Sequence, residues 1–163
     1  MSRWYVVHTQ TRQEARAEVN LRRQGFEAWL PVIRRSRRHA RRVDSVLAPL
    51  FPRYLFVRLD LTTQTWRSIN GTFGVVHLLC NGDTPLAVPP GMVEEIMQRR
   101  DETGIIIGSP HRLVAGMPVK VAMGRFDLEG LFEAKSGQDR VVLFIKLLGR
   151  EVRASVPLRG LAA

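Results

Sequence analysis

Four histidines and one cysteine are the side chains from which metal or nucleophilic chemistry would have to be built: His8, His39, His77, His111 and Cys80. Only His77 and Cys80 stand at a spacing that ligands of one site use, and two ligands do not close a zinc site. No acidic pair accompanies them, so His77 reads as a packed or edge residue of a strand. The chain carries no Gly-x-Ser-x-Gly, no P-loop and no dinucleotide-binding glycine fingerprint. The expected chemistry is therefore binding, with no enzyme activity, no cofactor and no metal.

Three constellations suit binding. Arg12, Arg16, Asn20 and Arg23 recur at spacings of four and three, which places them on one face of a helix. Such a face tracks phosphates in a salt-dependent way, although a basic helix face is also a common aid to solubility. The run Arg34 to Arg42 holds six arginines in nine residues with no apolar periodicity, so it reads as a solvated loop or a phosphate-grasping hairpin tip. Arg34, Arg35, Arg37 and Arg38 are its candidate nucleic-acid contacts. In Arg53–Leu59, Leu55, Val57 and Leu59 share one face while Tyr54 and Phe56 share the other with Arg58, and Phe51 lies just upstream. A strand apolar on both faces is covered on both, or offers one to a partner such as an amphipathic helix.

Charge supports a polyanionic partner. Across 163 residues, 25 Lys and Arg against 15 Asp and Glu give +10. Both halves are basic, so neither alone owns the signal. Arginine outnumbers lysine strongly, and its planar fork suits phosphate. A lone cysteine excludes intramolecular disulfides, and the apolar runs are too short for a membrane span. Without a signal-peptide pattern, a cytoplasmic monomer is expected.

The elements that must position these residues follow from local patterns. Residues 3–9 read as a strand, Gln13 to Gln24 as a helix capped by Gly25, and Phe26 to Ile33 as a strand interrupted by Pro31. Ala15, Val19, Ala17 and Leu21 supply the helix's apolar side. Residues 53–59 form the strongest strand, a short helix covers Gln64 to Ile69, Gly74 to Leu79 is a strand, and Asn81-Gly82-Asp83 marks a tight turn. Pro89-Pro90 opens a helix through about Asp101. The order β-α-β-β-α-β-α predicts an α+β domain over residues 1–102, with helices against an antiparallel sheet. Glycines and Pro110 place a linker at 103–112. Beyond it, 113–163 reads as short strands (Pro118 to Met123, Leu131 to Ala134, Arg140 to Leu148, Glu151 to Pro157) that can bury a core only by curling into a small β-barrel.

The segment Pro49-Leu50-Phe51-Pro52-Arg53-Tyr54-Leu55-Phe56-Val57 resembles the signature of NusG-type transcription elongation factors, above all their specialised RfaH branch. Trp4 to Val7, Ile69 to Thr72, Gly74-Val75 and Pro85 to Pro90 resemble further parts of that family's N-terminal NGN domain. Gly116 to Val121, Gly124-Arg125-Phe126 and Gly130 are similar to a KOW motif, which makes the expected barrel SH3-like. The resemblance implies an NGN domain that binds the clamp helices of RNA polymerase through Phe51, Tyr54 and Phe56. That domain bridges the DNA cleft, suppresses pausing and meets the non-template DNA strand, with Arg16 and Arg23 on the basic helix face. It also implies a KOW domain that recruits ribosomal protein S10 or the termination factor Rho.

Gln10 and Phe73 stand where the RfaH branch is basic, and Thr65-Trp66-Arg67 matches the family's gate-loop contact poorly, so a different DNA element is expected. RfaH hides its clamp site under a helical C-terminal domain. Ala48 stands where an acidic residue helps to hold that closed state, and the C-terminal segment shows no clear helical stripe, so a constitutive barrel is expected here. The different-class alternative is a ribosome- or RNA-associated KOW protein, against which the aromatic strand argues. An RNA-modifying enzyme would require an acid/base or metal cluster that the sequence lacks.

Overall fold

A computed structural model describes residues 1–107, 131–132 and 136–148 of the chain. Its centre is a four-stranded sheet ordered β2-β5-β1-β6, built from β1 (Arg3–Thr9), β2 (Glu27–Trp29), β5 (Tyr54–Leu59) and β6 (Val75–Leu78). β1 and β5 run antiparallel with Tyr5 opposite Val57 and His8 opposite Tyr54. Both strands are central and buried on both faces, which is why each reads as a nearly unbroken apolar run.

Helix α1 (Glu14–Arg23) covers one face. Its Ala17 and Leu21 pack with Leu55, Val57 and Leu59. Each fully buried leucine there stabilises by roughly 1.5–3 kcal/mol. Gly74 (φ +87°) lets the chain pass close to α1 before β6. A Cβ there would lie 3.0 Å from both the Ala17 amide nitrogen and the Gln13 carbonyl oxygen. On the opposite face, α2 (Met92–Gln98) buries Met92, Val93 and Ile96 with Trp4, Val6 and Phe56. The indole N–H of Trp4 donates to Glu94 Oε1 at 3.0 Å and fastens α2 to β1.

Three smaller features complete the N-terminal part. A 3₁₀ helix spans Trp66–Gly71, and β7 (Cys80–Asn81) pairs with β8 (Thr84–Pro85) around the expected tight turn. Strands β3 (Val32–His39) and β4 (Arg42–Pro49) pair with each other as a two-stranded ribbon, with a parallel bridge from Ile33 to Ile106 at its base. Pro31 divides the expected Phe26–Ile33 strand, since it lacks the N–H a ladder needs, so β2 stays in the main sheet and β3 departs into the ribbon.

Several sequence expectations are corrected. Of the two readings of Arg34 to Arg42, the hairpin tip is the one found: residues 34–39 lie in β3, Ala40 and Arg41 form a two-residue turn, and Arg42 opens β4. Ala15 and Val19 face outward, leaving Ala17 and Leu21 as the apolar side of α1. Arg12 precedes the helix in left-handed backbone (φ +60°) and is not on its face. The second helix starts at Met92, after Gly91 with φ +87°, and ends at Gln98. Residues 105–107 do not act as linker: Ile105 and Ile106 are buried, and the Ile106 amide donates to the Val32 carbonyl at 2.8 Å.

The largest correction concerns the C-terminal segment. Leu131 and Phe132 are helical, and helix α3 (Gly137–Leu148) occupies the stretch expected as the Arg140–Leu148 strand. Where a constitutive barrel was expected, the described part of 113–163 is helical. The physical reason is a stripe at Gly137, Arg140, Val141, Phe144 and Leu148, all buried, whose spacings of three and four fit a helix packed on an apolar surface. Ser136 supplies the N-cap: its Oγ accepts from the Asp139 amide at 3.1 Å, and its hydroxyl donates to Asp139 Oδ2 at 2.7 Å. The linker's 108–112, the strands Pro118–Met123 and Glu151–Pro157, and the KOW-like motif lie outside the described residues.

Candidate functional site

The aromatic face of β5 is the most developed surface of the molecule, and it is covered. Phe56 points away from α1, stacks on Trp29 of β2 with ring centroids 5.7 Å apart, and meets Phe51 edge-on at 6.0 Å. Phe144 of α3 seats on this group, stacked on Phe51 at 4.4 Å and edge-on to Phe56 at 5.5 Å. Phe51, Phe56 and Phe144 are each at most 1% exposed. The face expected to be either covered or offered to a partner is thus covered, by a helix from the C-terminal part of the same chain.

Polar contacts hold the cover in register. Arg140 is buried, and its Nε donates to the Leu50 carbonyl at 2.7 Å. Burial pushes its guanidinium pKa below the ordinary value, and the positive charge of Arg35 adds to that shift. No acid is needed at Ala48 for this anchor, because a backbone carbonyl two residues on accepts instead. Gly137 sits against Pro52, where a Cβ would come 2.6 Å from the ring Cγ. Arg99 lies over the Phe132 ring at 4.2 Å, and Arg100 over Trp29 at 5.7 Å.

Tyr54 parts from this group. It is buried and stacks on His8 at 5.0 Å, with His77 edge-on to His8 at 5.3 Å. Burial, then the charges of Arg53 and His77, pushes the His8 pKa down to about 4 and leaves the ring neutral. Its Nδ1 has no hydrogen-bond partner among the described residues. Burial pushes the Cys80 thiol pKa up, and the thiol donates to the Leu78 carbonyl at 3.4 Å. Among the described residues no group of three His, Cys, Asp or Glu could hold a metal ion. No described helix is long and apolar enough to cross a membrane.

The basic residues fall into two surfaces. Arg16 and Arg23 line an open cleft of about 590 Å³ on the outer side of α1, with Ala15, Val19, Asn20 and Phe73. Phe73 is 70% exposed, and the Arg16 guanidinium lies 5.2 Å from its ring centre. Arg22 is engaged instead in structure, pairing with Glu18 at 2.8 Å and donating to the Ala28 carbonyl at 3.0 Å. Arg12 lies outside the cleft lining. Arg34, Arg35, Arg37 and Arg38 are all on β3. Sequence reasoning missed Trp29, Phe73 and the whole of α3 as parts of these sites. The Ser136-x-x-Asp139 capping pattern before an apolar run was the available signal for α3.

Comparison with known proteins points to one family. Residues 2–97 match the family model described as NusG, transcription termination factor nusG. A transcription termination/antitermination protein NusG of Thermus thermophilus is 28% identical over 171 positions, covering 91% of each chain. One of Chlamydia trachomatis is 27% identical, covering 94% of this chain and 90% of its own, and one of Bacillus subtilis is 27% identical over 91% and 90%. A solved structure titled for domain interaction in Thermotoga maritima NusG overlaps 60% of this chain and 54% of its own, at 20% identity and a TM-score of 0.38. With more than half of the chain matching the family model over the segment that forms the sheet, α1 and α2, this protein belongs to the NusG family of transcription factors.

Proposed function

We propose that this chain is a transcription elongation regulator of the antiterminator kind, that Trp29, Phe51 and Phe56 form its surface for the clamp helices of RNA polymerase, and that α3 occupies that surface until the polymerase displaces it. The observation that carries the proposal is the docking of Phe144 on Phe51 and Phe56. A helix laid in an aromatic groove is the contact mode that polymerase helices would reuse, so cover and partner compete for one face. Tyr54, buried against His8, shapes the face from below. Holding polymerase around its nucleic acid suppresses pausing by binding alone, which needs no catalytic group.

The closed arrangement favours the specialised, RfaH-like branch over a housekeeping factor, because a covered site requires an activating encounter. Arg16, Arg23 and Phe73 then meet the unpaired non-template DNA strand, where guanidinium groups hold phosphates and the exposed ring stacks a base. Once released, the C-terminal segment with its KOW-like motif recruits a second partner of the ribosomal protein S10 or Rho type, in the cytoplasm where transcription takes place.

The test is retention of purified RNA polymerase by the tagged full-length chain. Polymerase should be retained by the wild type, at least in the presence of a DNA strand that engages α1, and lost from Phe51→Ala once circular dichroism confirms that the fold persists. Retention of ribosomes in place of polymerase, unaffected by Phe51→Ala, would establish the ribosome-associated alternative.

A further inference from the structure

We infer that the β3–β4 ribbon grips the phosphate backbone of double-stranded nucleic acid, separately from the unpaired strand assigned to the α1 cleft. The inference takes its setting from the polymerase-bound function proposed above, while its assay needs no polymerase.

Two eight-residue strands pair with each other, bridge to Ile106 through Ile33 at the base, and project as an arm about 26 Å long. Residues 32–49 carry six arginines and a single acid, Asp44. The register sorts them. Arg35 stands opposite Val46, Arg37 opposite Asp44 and His39 opposite Arg42 on one face, while Arg34 opposite Leu47 and Arg38 opposite Val43 share the other. Arg35 and Arg37 are therefore about 6.6 Å apart along the strand, close to two steps of the roughly 3.4 Å phosphate repeat of a duplex strand.

The turn adds a second, independent sign. Ala40 and Arg41 both adopt left-handed backbone, φ +47° and +69°, as a two-residue hairpin turn requires. Glycine or asparagine would relieve strain of roughly 1 kcal/mol per residue, so the turn keeps a guanidinium at the tip despite its conformational cost.

What the ribbon lacks selects the partner. Residues 32–49 contain no Phe, Tyr or Trp, so there is no platform on which an unpaired base would stack. The aromatic anchors of a protein-interface hot spot, Trp and Tyr, are missing for the same reason. A duplex, with its bases already stacked inside, asks only for phosphate contacts, and a two-stranded ribbon is an element that its major groove, about 12 Å wide, admits.

Fluorescence anisotropy of a labelled DNA duplex and of its single strand, titrated with the full-length chain over a range of salt, tests this. Replacing Arg37, Arg38, Arg41 and Arg42 together by serine should flatten the duplex log–log salt slope by about 3–4, since each phosphate contact contributes roughly 0.9. Duplex affinity should fall at least about tenfold near 0.1 M salt, with single-strand affinity changed less than about twofold. Phe73→Ala should show the reverse selectivity. The substituted side chains are exposed, and unchanged polymerase retention by the same variant would show that fold and polymerase site survive. An unchanged duplex slope overturns the inference, as does an equal loss for duplex and single strand, or a wild-type chain that does not bind duplex at all. Each of those results leaves the polymerase proposal standing, and failure of polymerase retention leaves the duplex measurement valid.

Discussion

Phe144→Ala separates a cover from a structural core residue. Phe144 is fully buried between Phe51 and Phe56, with ring contacts at 4.4 and 5.5 Å. Truncating a buried phenylalanine costs about 3–5 kcal/mol through lost transfer energy and the cavity left behind. Here the cost falls on the docking of α3 and not on the sheet, whose other face is packed by α1 through different residues. The equilibrium between covered and open face should therefore move toward open by about 10²- to 5 × 10³-fold. When only the open fraction binds, the apparent Kd equals the intrinsic value divided by that fraction, so polymerase affinity should tighten by the same factor until the open form predominates. The assay is titration of RNA polymerase with wild-type, Phe144→Ala and Phe51→Ala chains, each checked for intact far-UV circular dichroism. Phe144→Ala should bind more tightly and Phe51→Ala more weakly, although the two rings stack on each other in one contact. A Phe144→Ala chain that stays folded yet binds polymerase no better than wild type would refute the competition between α3 and polymerase.

Further perturbations test other parts of the argument. Gly137→Ala improves intrinsic helix propensity by about 1 kcal/mol, yet its Cβ collides with Pro52, so polymerase binding should tighten, and tighter docking of α3 seen by hydrogen exchange would contradict the close approach. Gly74→Ala should lower the urea midpoint by an amount equivalent to about 1–3 kcal/mol, because both φ and two backbone atoms of α1 oppose a methyl group there. His8 has a folded pKa of about 4 against 6.5 for the free side chain, so the unfolded chain takes up its proton first. Its contribution is fully present above about pH 6.5 and is lost as pH falls toward 4, by about 1–2 kcal/mol after allowance for solvent screening, and His8→Gln should flatten that part of the urea-stability profile. Ala40→Asn with Arg41→Gly should slow amide exchange along the ribbon, reflecting about 2 kcal/mol of relieved strain over the two residues, while weakening duplex binding through loss of the tip guanidinium.

Much of the N-terminal half was legible residue by residue. The unbroken apolar run of β1 and the two-faced pattern of residues 54–59 specify central strands, because period-two alternation between two buried faces leaves no polar position. Gly25 marked the end of α1, and Asn81-Gly82-Asp83 marked a hairpin, since both depend on local backbone preferences. The arginine run was visible as a binding candidate and as a loop or hairpin tip, but not as part of eight-residue strands, because β4 follows it with little alternation.

The C-terminal segment shows where local information ends. Residues 140–148 are a nearly continuous apolar run in which Val141, Val142 and Ile145 stand among leucines, which suits a strand of a small barrel as well as one side of a helix. Composition and charge pointed from sequence alone to a binding protein with a polyanionic partner, and the resemblance of residues 49–57 to the NusG-type signature implied the family, because those signals lie in short-range patterns. Tertiary structure decided that the aromatic face is occupied and that α3 is what occupies it. A helix stripe gains its stability only from the surface it meets, and that surface is assembled from Trp29, Phe51 and Phe56, about ninety or more residues away in the chain.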